Sequence, residues 1–353
     1  MTYKDTLFFV AQCLTISLEK KNRILIEEKL QAGNIDWEAV VKVSTSHYVL
    51  PALYCNLKRV VFLNYLPEDL VAYMKHITEL NHERNHQIIE QARELNELLI
   101  ANDIIPVFLK GTGNLLEGLY DDIAERMVGD IDFLFSGKDF FKAIDILKSD
   151  NYSKPDNELN YFPGFRHYSR LVKHENIAAV EIHKEVTLEK YKDEFSCSMI
   201  IEDVHQINDF AVLSFENKLS LSIIASQVND YGFEFNKFSL RNAYDVFLLS
   251  NIVDTKNVIS KFAKLKKPLN CFLSKCNLVF GDLESLKYHK TKESETYLKA
   301  FNKSLYKKES NLKINFKLMY INLNRRFSIV CKSMFNNENR KWLLNRIKSR
   351  INN

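Results

Sequence analysis

Two carboxylates stand two residues apart in Gly129-Asp130-Ile131-Asp132-Phe133-Leu134-Phe135, a run that is otherwise mostly apolar. In a strand, side chains two apart share a face at about 6.6 Å separation. Asp130 and Asp132 would then project together while Ile131 and Phe133 enter a core. Carboxylates this close repel unless a cation sits between them, and hard oxygen ligands of this kind suit Mg²⁺ or Mn²⁺. Glu181, between Val180 and Ile182 in another apolar run, could supply a third acid. Three carboxylates around two metals can activate an attacking oxygen and stabilise a leaving one. A lone Asp-x-Asp is usually a solvated pair, but this one follows Lys110-Gly111-Thr112-Gly113, a turn entering a helix. Free N–H groups at a helix N-terminus can hold phosphate. Gly111 allows close backbone approach there, and the Thr112 hydroxyl can bond a phosphate oxygen.

Cations near such a site neutralise charge developing in phosphoryl transfer, a role open to Lys110 and Arg126. Arg126 has a second option, surface pairing with Asp122 or Glu125. His183 shares a strand face with Glu181 and could orient it or touch substrate, as could His167 in Phe165-Arg166-His167-Tyr168; a satisfied structural histidine is the plainer role for each. Arg241 and Asp245, four apart on a helix, read most simply as an exposed pair worth a few tenths of a kcal/mol. No Walker-type loop and no Gly-x-Ser-x-Gly nucleophile motif occurs, which argues against a P-loop ATPase or a serine hydrolase.

The elements that must position these residues show a change of character along the chain. Trp37–Leu57 is apolar at helical spacing with a break expected at Pro51, and Glu68–Asn102 is a long helix with one apolar stripe separated by Glu, His, Arg and Asn. At Ile104 a short continuous apolar run, Ile104–Leu109, predicts a buried strand that Pro106 pushes toward an edge or a bulge. Ile131–Phe135 and Ala178–His183 predict further strands, and Lys138–Ser149 a helix. From Ser214 onward helical periodicity returns, with Gly232 between two helices. The expected class is α+β: a small α/β core with a mixed sheet, flanked by helical regions. The expected divisions are an N-terminal helical region 1–102, a core 103–213, a helical domain 214–302 and a basic helical tail 303–353.

With 353 residues the chain exceeds the size at which single cores tend to divide. Nine Gly and six Pro are few, which excludes a loop-rich β-sandwich and favours long helices. The net charge of +4 is uneven: residues 303–353 hold 13 Lys/Arg and 2 Asp/Glu, so the body carries −7. A tail of that kind can contact a polyanion, or can simply be a solvated helix. The six cysteines lack the paired spacing of a zinc site and read as reduced cytosolic thiols. Leu7–Leu18 reads as a first helix, without a signal-peptide cleavage site, and no run reaches the length of a membrane span. A cytoplasmic location is expected.

The segment PVFLKGTGNLLEGLY…ERMVGDIDFLF, followed by KAIDILKSDNY, resembles the uncharacterised bacterial nucleotidyltransferase family of the polymerase-beta-like superfamily. Val180-Glu181-Ile182-His183 matches the family's later Val-Glu-x-His strand, and Ser46–Pro51 and Leu240–Asp245 match its helical flanks. The resemblance covers about residues 35–255 and is most specific over 107–135. It implies that Asp130 and Asp132 bind catalytic metal with Glu181 as third acid, and that Gly111 and Thr112 lie in the superfamily's phosphate turn. The sequence departs from the pattern in having Thr112 for Ser, 19 residues from Gly111 to Asp130, and Gln227 where relatives often have His. The implied activity is metal-dependent transfer of a nucleoside monophosphate from an NTP to an acceptor, whether small molecule, sugar, RNA or protein, with release of pyrophosphate. The alternative is a non-catalytic nucleotide- or polyanion-binding module on the same fold. In the metal-free protein the acids are expected to repel, so that Asp132→Asn keeps or raises stability.

Overall fold

The computed structural model describes residues 1–155, 161–306 and 311–351; of the basic tail, residues 307–310 and 352–353 lie outside the described residues. Five helices come first: α1 (Tyr3–Cys13), α2 (Lys20–Gln31), α3 (Trp37–Ser46), α4 (Leu50–Arg59) and α5 (Glu68–Ile100). Their starts are written in side chains. Thr2 and Asp5 form a reciprocal capping box on α1, and Asp36 caps α3 by accepting from the Ala39 N–H. The break expected at Pro51 lies just upstream, at residues 47–49, where Tyr48 takes a positive φ of 57°. Pro51 itself sits in the first turn of α4, where its missing N–H is one that would have had no helical partner.

Helix α5 carries more than an apolar stripe. Asn81, Asn85, Gln91 and Asn96, which stand among its apolar positions, are buried on it. Their amides meet backbone groups of otherwise irregular segments. Asn81 donates to the Ala124 carbonyl (2.7 Å) and Asn85 to that of Arg126 (2.7 Å). Gln91 both donates to and accepts from Ala178, and Asn96 donates to Asp209. Buried backbone groups left without partners would be costly, so α5 functions as a rack on which the loops of the core hang.

The core comprises β1 (Val107–Phe108), α6 (Lys110–Glu117), β2 (Asp130–Leu134), α7 (Gly137–Ser149), β3 (Ala179–His183), α8 (Cys197–Ile200), β4 (Val204–Ile207) and β5 (Phe210–Leu213). The sheet has the order β3-β2-β1-β5-β4. Strands β2 and β3 run parallel, as do β1 and β5, whereas β1 is antiparallel to β2 and β4 to β5. The expected α+β class with a small mixed sheet is borne out. Strand β1 is central rather than at an edge. Pro106 is tolerated because only Val107 and Phe108 pair, and the proline falls one residue outside the ladder. The rings of Phe108, Phe133 and Phe210 fix this centre, with centroids 4.9 Å and 5.4 Å from Phe108.

The chain returns to helix with α9 (Phe215–Ile224), which runs into a π-helical turn at Ala225–Asn229. Then follow α10 (Leu240–Ser250), α11 (Thr255–Ser260), α12 (Lys266–Phe280), α13 (Lys292–Tyr306), α14 (Asn311–Phe335) and α15 (Asn337–Ile351). Among the described residues no helix is long and apolar enough to cross a membrane.

Candidate active site

Parallel pairing of β2 with β3 places Asp130 opposite Ala179, Asp132 opposite Glu181 and Leu134 opposite His183. Residues two apart on a strand share a face, so Asp130, Asp132, Glu181 and His183 emerge on one side of the sheet. Ligand atoms of Asp132, Glu181 and His183 lie within 4.8 Å of one another. His183 Nε2 is 2.8 Å from Asp132 Oδ1 and 3.6 Å from Glu181 Oε2. Asp130 stands at the outer end of the row. The hydrogen-bond partner of its carboxylate is Arg170, whose Nη2 donates to Oδ2 at 2.7 Å and lies 3.5 Å from Glu181 Oε1.

Lys110 reaches the same acids from the start of α6. Its ammonium donates to Asp132 Oδ1 at 2.7 Å and sits 4.0 Å from Glu181 Oε2. The backbone gives it this position at a cost: Lys110 has a φ of 51°, a region that a residue with a Cβ rarely occupies. The helix begins at Lys110 itself, so Gly111, Thr112 and Gly113 form its first turn instead of a loop before it. Thr112 is fully buried and its hydroxyl donates to the Asp130 carbonyl at 3.1 Å, tying the helix start to β2. A Cβ on Gly111 would lie 3.0 Å from a methyl of Val128, and one on Gly113 only 2.6 Å from the Phe108 carbonyl oxygen. The glycines therefore also serve packing of α6 against β1 and the loop before β2.

The repulsion expected between the acids of the metal-free protein is offset at Asp132 and Glu181 by protein cations and persists at Asp130. Burial pushes the Asp132 carboxyl up, but the Lys110 ammonium and the hydrogen bond from His183 outweigh it and hold the group well below the usual carboxylate range. Glu181 is likewise held low: burial and the Asp132 charge oppose ionisation, and His183 and Lys110 together prevail. Asp130 goes the other way, raised by burial and by its two acidic neighbours despite Arg170. Burial also lowers His167, whose ring centroid is 5.2 Å from that of His183 and whose Nδ1 lies 2.8 Å from its neighbour's carbonyl at Tyr168. Nδ1 of His183 is buried without a hydrogen-bond partner. Two carboxylates and an imidazole Nε2 within ligand distance of one another fit a divalent cation; the unpartnered Nδ1 lies on the far side of the ring and takes no part in that set. Asp132 and Glu181 with His183 would hold the ion, and Lys110 occupies the flank from which a cation would neutralise Asp132.

Arg126 is placed elsewhere. It is 6% exposed and pairs with Asp245 of α10, Nε to Oδ1 3.0 Å, and donates to the Met127 carbonyl. Neither Asp122 nor Glu125 is its partner: Asp122 caps a short 3-10 turn, and Glu125 is bound by Arg59 and the Tyr244 hydroxyl. Asp245 is correspondingly buried, not the exposed partner of Arg241. Arg241 lies over the Tyr48 ring instead. Gln227 is buried in the π-helical turn, its amide donating to Ser226.

Arg170 was missed by sequence reasoning, and so were Arg166 and Asp230. The segment 166–172 pairs with β3 only through isolated bridges, His167 with His183 and Leu171 with Val180. The stretch Arg166-His167-Tyr168-Ser169-Arg170 has no apolar alternation, so its sequence carried no strand signal. Asp230 ends the π-helical turn and is raised by burial despite the attraction of Lys110 and Arg166, which places all three in one electrostatic neighbourhood. The Arg166 guanidinium is drawn down by burial, more than Asp230 and Glu181 restore.

Comparison with curated proteins gave no match. Among solved structures, the crystal structure of JHP933 from Helicobacter pylori is similar at 17% identity, covering 70% of this chain and 97% of that one with a TM-score of 0.31. Residues 33–281 match the family described as "Uncharacterised nucleotidyltransferase", a span running from α3 through the sheet and its acids to the end of α12. With well over half its length matched, the chain belongs to this uncharacterised nucleotidyltransferase family.

Proposed function

We propose that the protein transfers a nucleoside monophosphate from an NTP to an acceptor nucleophile at the Asp130, Asp132 and Glu181 row. The acceptor oxygen would attack the α-phosphorus, the bond from that phosphorus to the bridging oxygen would break, and pyrophosphate would leave. The acceptor's proton would pass to Glu181, the acid set one strand away from the Asp pair. Magnesium or manganese, when bound, would supply charge neutralisation at the phosphates. The chain's own part is to hold Asp132 ionised through Lys110 and His183 and to present Lys110, Arg166 and Arg170 to an anionic substrate. Gly111 and Thr112, in the first turn of α6, would bring backbone N–H groups toward phosphate. His167 is proposed to border the substrate, and His183, expected to do the same, would instead complete the ligand set with Asp132 and Glu181. The observation that carries this reading is the pairing of Asp132 with Glu181 across adjacent parallel strands in a chain of nucleotidyltransferase family.

One observation favours a second reading. The acids already have protein cations against them, Lys110 on Asp132 and Arg170 on Asp130. A site neutralised in this way suits a non-catalytic nucleotide-binding module. Incubation with each labelled NTP, Mg²⁺ or Mn²⁺ and candidate acceptors, followed by mass spectrometry for nucleotidylated products and assay for pyrophosphate, separates the two. Transfer supports the enzyme; NTP binding without any pyrophosphate supports the module.

A further inference from the structure

Helix α14 exposes a continuous apolar stripe. Phe316, Tyr320, Leu323, Phe327, Val330 and Met334 follow one another at intervals of four and three, the spacing that keeps side chains on one face of a helix. All but Val330 are more than half exposed, and Val330 is nearly so. The other side of the helix is engaged. Lys317 donates to the Glu234 carbonyl, Lys332 pairs with Glu189 at 3.5 Å, and Ser333 is buried against α15 with its hydroxyl on the Asn339 carbonyl. The hairpin is moored to the core where Trp342 of α15 meets Phe162, ring centroids 4.7 Å apart. The apolar face is thus turned away from the body by contacts that fix the helix's rotation.

The charge around the stripe selects what can cover it. Residues 311–335 contain five Lys/Arg and no Asp/Glu, and residues 337–351 five Lys/Arg and one Glu. A second copy of the hairpin would bring like charges together along the full contact, with no acidic flanking positions to pair them. A nucleic acid would satisfy the cations and could stack bases on Phe316, Tyr320 and Phe327, but would leave the exposed Leu323, Val330 and Met334 between them uncovered. An anionic bilayer surface meets both demands, taking apolar side chains into the acyl boundary and cations at its headgroups.

We propose that α14 lies in the plane of an anionic lipid surface, its Phe316–Met334 stripe inserted and the exposed basic residues not engaged by the core, among them Arg326, Lys341 and Lys348, at the headgroups. At about 1.5 Å per residue the stripe from Phe316 to Met334 offers about 27 Å of continuous contact. The test needs no turnover, so it stands or falls independently of the transfer reaction. Full-length protein is sedimented with phosphatidylcholine vesicles with and without phosphatidylglycerol, at low and raised salt. The expected result is binding to the anionic vesicles only, weakened by salt, and lowered at least about tenfold by Leu323→Glu with Phe327→Glu. Both residues are exposed, so melting temperature and helicity should be unchanged; if helicity is lost, Leu323→Gln with Phe327→Gln replaces the pair. Absence of binding to anionic vesicles overturns the proposal, and so does undiminished binding by the folded variant. A dimer or an RNA complex that the variant dissociates, without vesicle binding, overturns it in favour of those partners.

Discussion

Asp130 and Asp132 are two residues apart and the fold treats them oppositely. The Asp132 carboxyl is held low by Lys110 and His183 against burial, while Asp130 is raised by burial beside its acidic neighbours. A depressed carboxyl adds stability above the unfolded value of about 3.9 and loses it as pH falls below that value toward the folded one. A raised carboxyl does the reverse, and its ionisation costs stability as pH rises above about 4. At neutral pH without divalent cation, Asp132→Asn should therefore lower the melting temperature, the loss of stability being about 3 kcal/mol if Lys110 is left poorly compensated. Asp130→Asn should leave it unchanged or higher. Melting curves of both variants, repeated at steps of pH below about 4 where the difference should begin to narrow, check this; shifts of the same sign at neutral pH would refute it. If the transfer reaction is catalysed here, Asp132→Asn should also cut turnover about a thousandfold, roughly 4 kcal/mol of transition-state stabilisation. The acids were legible in the sequence because Asp-x-Asp and Val-Glu-x-His sit inside apolar runs. Lys110 was legible as a cation of the site but not as the partner of Asp132, and Arg170 was not legible at all: they lie 22 residues from Asp132 and 40 from Asp130, distances over which only the tertiary fold brings partners together.

Helix α6 shows how an element can be read correctly in outline and misread at its first turn. The Lys-Gly-Thr-Gly sequence announced a strand-to-helix junction, but not that Lys110, flanked by a glycine, would be the residue at positive φ. That geometry reverses an ordinary preference. Alanine exceeds glycine in a normal helix by about 1 kcal/mol, yet at φ 51° the Cβ is the liability. Lys110→Gly should thus be more stable than Lys110→Ala by about 1 kcal/mol, both having lost the ammonium equally. Chemical denaturation of the two variants measures it, and the helical order of stabilities would show that the backbone relaxes. The two glycines of the turn are likewise unequal. Gly113→Ala drives a methyl against the Phe108 carbonyl of the central strand and should cost about 1–3 kcal/mol. Gly111→Ala meets only a Val128 methyl, which can rotate aside, and should cost less. The position of β1 at the sheet centre was hidden for a related reason: a two-residue strand has too few pairs for Pro106 to interrupt.

At the scale of the whole molecule the junction between core and C-terminal helices is polar, buried and built from residues that resembled a phosphate site. Arg126 and Asp245 lie 119 residues apart, and Tyr120 donates to the same carboxylate at 2.8 Å. Asn85 of α5 holds the Arg126 carbonyl from the opposite side, so the N-terminal helices, the loop before β2 and α10 all meet at one arginine. Sequence periodicity could mark α10 but not which of its faces turned inward, because Arg241 and Asp245 fit a solvated face equally well. A buried ion pair of this kind is costly to break and often neutral to replace. Asp245→Leu alone would strand a buried guanidinium and should lose about 3–5 kcal/mol. Adding Arg126→Met removes the stranded charge and should recover at least about 2 kcal/mol, with the residual loss coming from the Tyr120 hydroxyl deprived of its acceptor. Nucleotide affinity supplies the independent readout. An arginine that acts only at this junction leaves NTP affinity in the folded double variant near that of the wild type, whereas an Arg126 that touches phosphate makes affinity fall even where stability is regained. Urea unfolding together with calorimetric NTP titration of the single and double variants thus decides whether the resemblance to a phosphate-binding arginine reflects chemistry or architecture.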